Sequence, residues 1–125
     1  MERIGFTKMK TPTEMSLNFL RKQGYSVAIT EHWNPFGKVR MDLFGIIDLV
    51  AIKAGVPGVL GIQTTSKTNI SARVNKSKNN KDLLTWYKAG NRFLIHGWGK
   101  ENGVWKLEER EVVKQCFLPE LQFKK

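Results

Sequence analysis

Residues 44–65 read FGIIDLVAI (44–52), KAGVPG (53–58) and VLGIQTT (59–65), and the fold turns on what this stretch does. The first run is almost continuously apolar and rich in β-branched residues, as expected of a central strand buried on both faces. The middle segment, with its glycines and proline, is a turn, and the third run returns as a second strand. Centring the turn between Gly55 and Val56 pairs residue 50 with 61, 52 with 59 and 48 with 63. Asp48 then lies directly opposite Gln63, with Cβ atoms about 4.5–5.5 Å apart. Thr65 follows two residues further along the same face. A carboxylate inside an apolar strand is costly unless a cation, a donor or a metal accompanies it. A carboxylate, a carboxamide and a hydroxyl at one end of a hairpin supply the hard oxygen ligands that Mg²⁺ favours.

Upstream, Thr11-Pro12-Thr13-Glu14 predicts a helix start, with Thr11 as N-cap, Pro12 at the first helical position and Glu14 closing a capping box. Met15, Leu17, Phe19 and Leu20 form the apolar stripe, and Gly24 stops the helix. Residues 25–33 alternate as a strand, and Asn34-Pro35-Phe36-Gly37 is a loop. Downstream, Asn69 is placed to cap a helix over 70–89 that Gly90 ends. Leu83, Leu84, Trp86 and Tyr87 give its tail a core-facing side, while 71–81 is polar and basic. Residues 92–98 and 104–111 form a hairpin through 99–103, and 112–125 holds a short helix broken before Pro119. The order α-β-β-β-α-β-β describes one α/β domain over residues 1–125, a mixed sheet of about five strands flanked by helices.

The chain carries 21 Lys and Arg against 11 Asp and Glu, a net charge of +10. Such a balance suits a polyanionic partner, foremost nucleic acid. Residues 67–100 hold eight basic residues and a single acid, Asp82, so the positive charge is concentrated mid-chain. A solvated, lysine-rich surface is the alternative reading of that run. One cysteine, Cys116, excludes an internal disulfide and a Cys-rich zinc site, and a reducing cytoplasm is the expected location. The apolar run at 44–52 is too short to span a membrane, and residues 1–10 lack the apolar segment of a secretory signal.

With these residues in place, the chain resembles the PD-(D/E)XK nuclease superfamily, most closely small phage and archaeal Holliday-junction resolvases and virus-type nuclease domains. The resemblance spans residues 12–105 and rests on the order of elements: a helix bearing a Glu, a strand, the hairpin GIIDLVAI…GVLGIQTTS, a basic helix and two more strands. It implies a restriction-endonuclease-like fold, a Mg²⁺ or Mn²⁺ cofactor and hydrolysis of DNA, with a preference for branched or otherwise structured substrates. It further implies a homodimer in the cytoplasm of a bacterial, archaeal or phage-infected cell. Asp48 matches the first motif acid, Gln63 the second acid, Thr65 the motif lysine and Glu14 the helix acid. Because Thr65 carries no charge, Lys67 is the replacement, reaching back from the same face if the strand continues. Metal ligation then falls to Asp48, Gln63 and Glu14. Lys67, Arg73, Lys76, Lys78 and Lys81 would contact backbone phosphates with little sequence preference.

Other readings stay open. Glu14 also serves as the capping-box partner of Thr11, and Asp42 is expected to hold a turn. His32 and His96 lie in different strands with no Cys or His partner, which points to core or rim positions rather than zinc. Ser66 lacks a His–Asp arrangement, and Trp86, Trp98 and Trp105 read as core. The rival functions are a DNA-binding module that has lost the chemistry and a protein-interaction domain for an acidic partner.

Overall fold

The computed structural model describes residues 10–113. The elements in chain order are α1 (Pro12–Lys22), β1 (Ser26–Ile29), β2 (His32–Asn34), β3 (Val39–Met41), β4 (Leu49–Lys53), β5 (Val56–Ser66), α2 (Ile70–Ser77), α3 (Lys81–Lys88), β6 (Arg92–Glu101) and β7 (Val104–Glu111). Five strands form a mixed sheet in the order β1-β4-β5-β6-β7, and β2 and β3 form a separate ribbon. The β5–β6 pair is parallel and its neighbours are antiparallel. The chain is therefore α/β with a central mixed sheet and three helices, as expected.

Helix α1 begins where its capping chemistry places it. The Glu14 N–H donates to Thr11 Oγ1 and the Thr11 N–H donates to Glu14 Oε1, both at 3.1 Å. Gly24, at φ 93°, supplies the left-handed residue that ends the helix. Alternation along β5 and β6 divides the core in two. Leu60, Ile62 and Leu94 join Leu20, Leu49 and Ala51 beneath α1. On the opposite face Phe93 and Ile95 pack with Ile46, Ile47, Ile70 and Leu83 beneath α2 and α3. Burial on both faces is why residues 59–62 are apolar, and Gln63 and Thr65 are buried beyond them.

Several expectations are corrected. The strand expected over 44–52 starts only at Leu49. Residues 43–47 instead form a tight loop, in which Phe44 and Gly45 have φ values of 55° and 79° and Leu43 and Ile47 exchange main-chain hydrogen bonds of 3.0 and 2.9 Å. Ile46 and Ile47 are buried from this loop, so their apolarity reflects core packing and not strand geometry. The strand expected over 25–33 breaks at Thr30 into β1 and β2, and β3 was not anticipated.

The expected helix 70–89 is two helices. Asn80 interrupts it by capping α3, its Oδ1 accepting from the Leu83 N–H at 2.9 Å, because a short amide competes for main-chain bonds. Asn69 makes no side-chain cap and is the last residue of a single 3₁₀ turn, Lys67–Asn69. The loop expected at 99–103 shrinks to Asn102-Gly103, whose φ values of 52° and 77° fit a two-residue type I′ turn. Cys116 and most of the expected C-terminal helix lie outside the described residues. Among the described residues no helix is long and apolar enough to cross a membrane.

Candidate metal centre

The hairpin register puts Val50 opposite Gly61, as the sequence suggests. The tip differs, with Lys53 pairing with Val56 around Ala54-Gly55 and an irregularity between Ala51 and Lys53 restoring step with the rest. The ladder breaks again at Asp48. Its N–H donates to the Ile62 carbonyl at 2.8 Å, one residue out of step, which leaves the Thr64 N–H without a main-chain acceptor across the pair. The Asp48 carboxylate takes that role: Thr64 donates to Oδ2 from its N–H at 2.8 Å and from its hydroxyl at 3.2 Å.

Thr64 rather than Gln63 is thus the β5 residue bonded to Asp48. Gln63 and Thr65 project to the other face, the side where Gly61 abuts Ile47 and Trp86 and where Arg73 Nε donates to Thr65 Oγ1 at 3.5 Å. Both are buried, and the Gln63 carboxamide makes no side-chain hydrogen bond among the described residues. Lys67 does not reach back along the strand, because β5 ends at Ser66 and the chain turns. Its Nζ pairs with Glu101 Oε2 at 3.3 Å.

What approaches Asp48 instead is a pair of acids from the ribbon. One carboxylate oxygen each from Glu31, Asp42 and Asp48 lie within 4.8 Å of one another. The main chain brings Glu31 there, since the Asp48 carbonyl accepts from the Thr30 and Glu31 N–H groups at 2.8 and 3.3 Å. Asp42 stands where β3 ends, and its own carbonyl accepts from the Gly45 N–H at 3.0 Å. Asp42 therefore holds the expected turn with its main chain while its side chain joins the acidic group.

Two hydroxyls tie the group to α1. Thr13 Oγ1 lies 2.8 Å from Thr64 Oγ1 and donates to Glu31 Oε2 at 3.2 Å. Glu14 is one residue on and lines the same cleft, of about 510 Å³, with Thr13, Ile29, Glu31, Arg40 and Thr64. The cleft thus connects the helix acid singled out in the sequence to the acidic group.

Asp48 is 5% exposed. Burial pushes its carboxyl up to about 8, the like charges of Asp42 and Glu31 push the same way, and the Thr64 N–H opposes them. Three acids this close cannot all ionise without a compensating cation. Three carboxylate oxygens this close, with Glu31 lining the cleft, are also the hard donor chemistry that Mg²⁺ or Mn²⁺ accepts, so the residues fit such an ion.

A second polar array runs from the core out to the surface at Glu109. Trp98 Nε1–H donates to Ser16 Oγ at 2.9 Å, and because the Glu109 carboxylate can only accept from His96 Nε2, Nδ1 of the neutral ring accepts from the Ser16 hydroxyl at 2.8 Å. His96 Nε2 then carries the proton facing Glu109 Oε2 at 2.9 Å. The order Ser–His–Glu imitates a hydrolase triad, but Ser16 and His96 are both 0% exposed and no substrate can reach the hydroxyl. His96 is the core histidine the sequence suggests, and burial lowers its pKa against the pull of Glu109. Trp105, expected in the core, is 40% exposed, with Lys100 Nζ 5.2 Å from its ring centre.

No protein-family model, curated protein or solved structure matches the chain. The functional reading therefore rests on the site itself. Glu31 escaped the sequence reading because it sits beside a strand break with no motif around it. Its parity with Trp33 and Arg40 becomes informative only once the β2–β3 pairing is known.

Proposed function

We propose that this protein is a metal-dependent nuclease that hydrolyses phosphodiester bonds in DNA, with a preference for branched or otherwise structured substrates. The observation that carries this reading is the convergence of Glu31, Asp42 and Asp48, beside a cleft that Glu31 lines, in a chain with net charge +10. An acidic group repels a polyanion unless a cation sits between them, and a net charge of +10 recruits the polyanion. Asp48, Asp42 and Glu31 would hold the ion. Glu14, which lines the same cleft, would add negative charge beside the ion.

A bound Mg²⁺ or Mn²⁺ supplies an activated water and neutralises charge on the phosphate oxygens. The chain's own residues set the geometry. Thr64 fixes the Asp48 carboxylate through two hydrogen bonds to one oxygen. Thr13 orients Glu31. Arg40, 3.4 Å from Glu31 Oε2 and largely exposed, can turn from that acid to a phosphate and so stand in for the positive charge absent at Thr65. Lys76, Lys78 and Lys81 are exposed around the α2–α3 junction. That junction is tied to the loop leading into Asp48, because Asn80 Nδ2 donates to the Phe44 carbonyl at 3.0 Å.

The test is cleavage of supercoiled plasmid and of a four-way junction with Mg²⁺ or Mn²⁺, comparing wild type with Asp48→Asn and Glu31→Gln. Wild-type cleavage that both substitutions remove supports the reading. The second reading, a DNA-binding module without chemistry, is favoured by one observation: among the described residues no lysine side chain is bonded to the acidic group, and Lys67 is engaged by Glu101. Wild-type protein that binds linear, flapped and four-way DNA but cuts none of them selects that alternative.

A further inference from the structure

The β2–β3 ribbon leaves the main sheet and carries the most exposed aromatic side chains among the described residues, Phe36 at 96% and Trp33 at 55%. Its register pairs His32 with Met41, Trp33 with Arg40 and Asn34 with Val39. Side chains alternate along each strand, so Trp33 and Arg40 share one face while His32, Asn34, Val39 and Met41 share the other. Two contacts agree with that division: Asn34 Nδ2 lies 3.5 Å from Met41 Sδ, and Arg40 lies 3.4 Å from Glu31 Oε2. Glu31 and Asp42 have the parity of Trp33 and Arg40. Walking outward along one face from the acidic group, one therefore meets Glu31 and Asp42, then Arg40 and Trp33 side by side.

We infer that this face is a platform for an unpaired nucleotide, with Arg40 on its phosphate and Trp33 stacked on its base. The occupant follows from charge and shape. A metal-loaded acidic group at the root of the ribbon and a guanidinium beside it both attract phosphate. A half-exposed indole flush with that guanidinium suits the flat face of a base, which a duplex keeps hidden in its stack. Two residues of strand, roughly 7 Å, separate Glu31 from Trp33, a nucleotide-scale distance. The tip is held in shape by the Phe36 and Gly37 N–H groups donating to Asn34 Oδ1 at 3.0 and 3.3 Å, so the ribbon is a built projection. It presents Phe36 and Lys38 beyond Trp33 for a second nucleotide.

The inference deepens the nuclease reading by naming its substrate class as DNA with unpaired bases, and its test needs no cleavage. Binding of a fluorescent single-stranded oligonucleotide and of the matching duplex is measured in EDTA by anisotropy. The proteins compared are wild type, Trp33→Ala, Trp33→Phe and Phe36→Ala. Trp33→Ala should weaken single-strand binding about tenfold, the worth of one stacked base, and duplex binding by less than about twofold. Trp33→Phe should recover most of the loss, which a folding defect would not, and Phe36→Ala should weaken the single strand less than Trp33→Ala does. Equal losses on both ligands, or none on either, would overturn the platform. A wild-type dimer that Trp33→Ala converts to monomer in sedimentation would also overturn it, by assigning the ribbon to self-association. Failure of the nuclease reading registers separately, as single-strand preference without metal-dependent cleavage.

Discussion

Thr64 directs both of its donors, the main-chain N–H and the hydroxyl, at a single oxygen of Asp48. That arrangement satisfies one oxygen of a buried carboxylate and leaves the other for the acids of the ribbon and for an ion. An asparagine at position 48 keeps an acceptor for Thr64 while removing the charge. Asp48→Asn should therefore fold with an unchanged or raised melting temperature, since folding at neutral pH no longer has to protonate a buried carboxyl. Metal-dependent cleavage should fall by about a hundredfold or more. Calorimetric melting and plasmid nicking together check this, and a variant that nicks like wild type would remove Asp48 from the chemistry.

Proton linkage gives a second expectation. With its carboxyl pushed up to about 8, Asp48 is protonated in the metal-free protein at neutral pH, and an ion must displace that proton. Apparent Mn²⁺ affinity should climb about tenfold per pH unit below 8 and level off above it. Titration calorimetry in buffers of different ionisation enthalpy would reveal the released proton. Affinity independent of pH between 6 and 8 would contradict the arrangement.

Stability without metal should respond to pH through two groups of opposite sign. Asp48 holds its proton more tightly folded than unfolded, so its contribution is full below the ordinary value of 3.8 and is lost as pH rises towards 8. His96 holds its proton less tightly folded, so its contribution is present above its ordinary 6.5 and is lost as pH falls below that value. Mn²⁺ should flatten the alkaline side of the stability profile and leave the acidic side unchanged. Denaturant melts at several pH values, with and without the ion, make the comparison.

The Ser16–His96–Glu109 chain, buried at its serine end, predicts a purely structural effect. Ser16→Ala strips a partner from both Trp98 Nε1 and His96 Nδ1 in a dry core. The cost should be about 1–3 kcal/mol of stability. Metal-dependent cleavage at a temperature where the variant remains folded should not change. Loss of activity without loss of stability would instead argue for a reactive serine.

The exposed lysines around the α2–α3 junction predict a salt effect. Replacing Lys76, Lys78 and Lys81 together by Ala should weaken DNA binding evenly across sequences. It should also make the log–log salt dependence shallower by about 0.9 for each phosphate that is no longer neutralised. An unchanged slope would assign these lysines to solvation.

Much of the scaffold was legible because it is local. The capping box at Thr11 and Glu14 needs only a four-residue pattern, and the pairing of Val50 with Gly61 follows from one hairpin. The site was only half legible, because its acids meet through features that periodicity does not encode. Asp48 stands out as a lone charge in an apolar run. Glu31 and Asp42 converge on it only because the chain leaves the sheet at Thr30, turns back as a ribbon and re-enters through a left-handed Phe44. The same apolar run misled the reading of residues 44–48, since a buried loop and a buried strand have the same composition. Gln63 looked correctly placed from the register, but the ladder slips at Asp48 and hands the carboxylate to Thr64.

The parallel seam between β5 and β6 has a bearing on how the molecule comes to exist. Its matched positions, from Leu60 with Arg92 to Ser66 with Trp98, can meet only after the whole α2–α3 crossover has closed. Contacts so distant along the chain carry the entropy of loop closure before they return anything, and they set the pace of folding. Thr13, Glu31, Asp42, Asp48 and Thr64 all precede that crossover. During synthesis, the acidic corner can therefore gather on the first half of the sheet while β6 is still being made. The arrival of β6, with His96 closing onto Ser16, would then be the slow step that locks it.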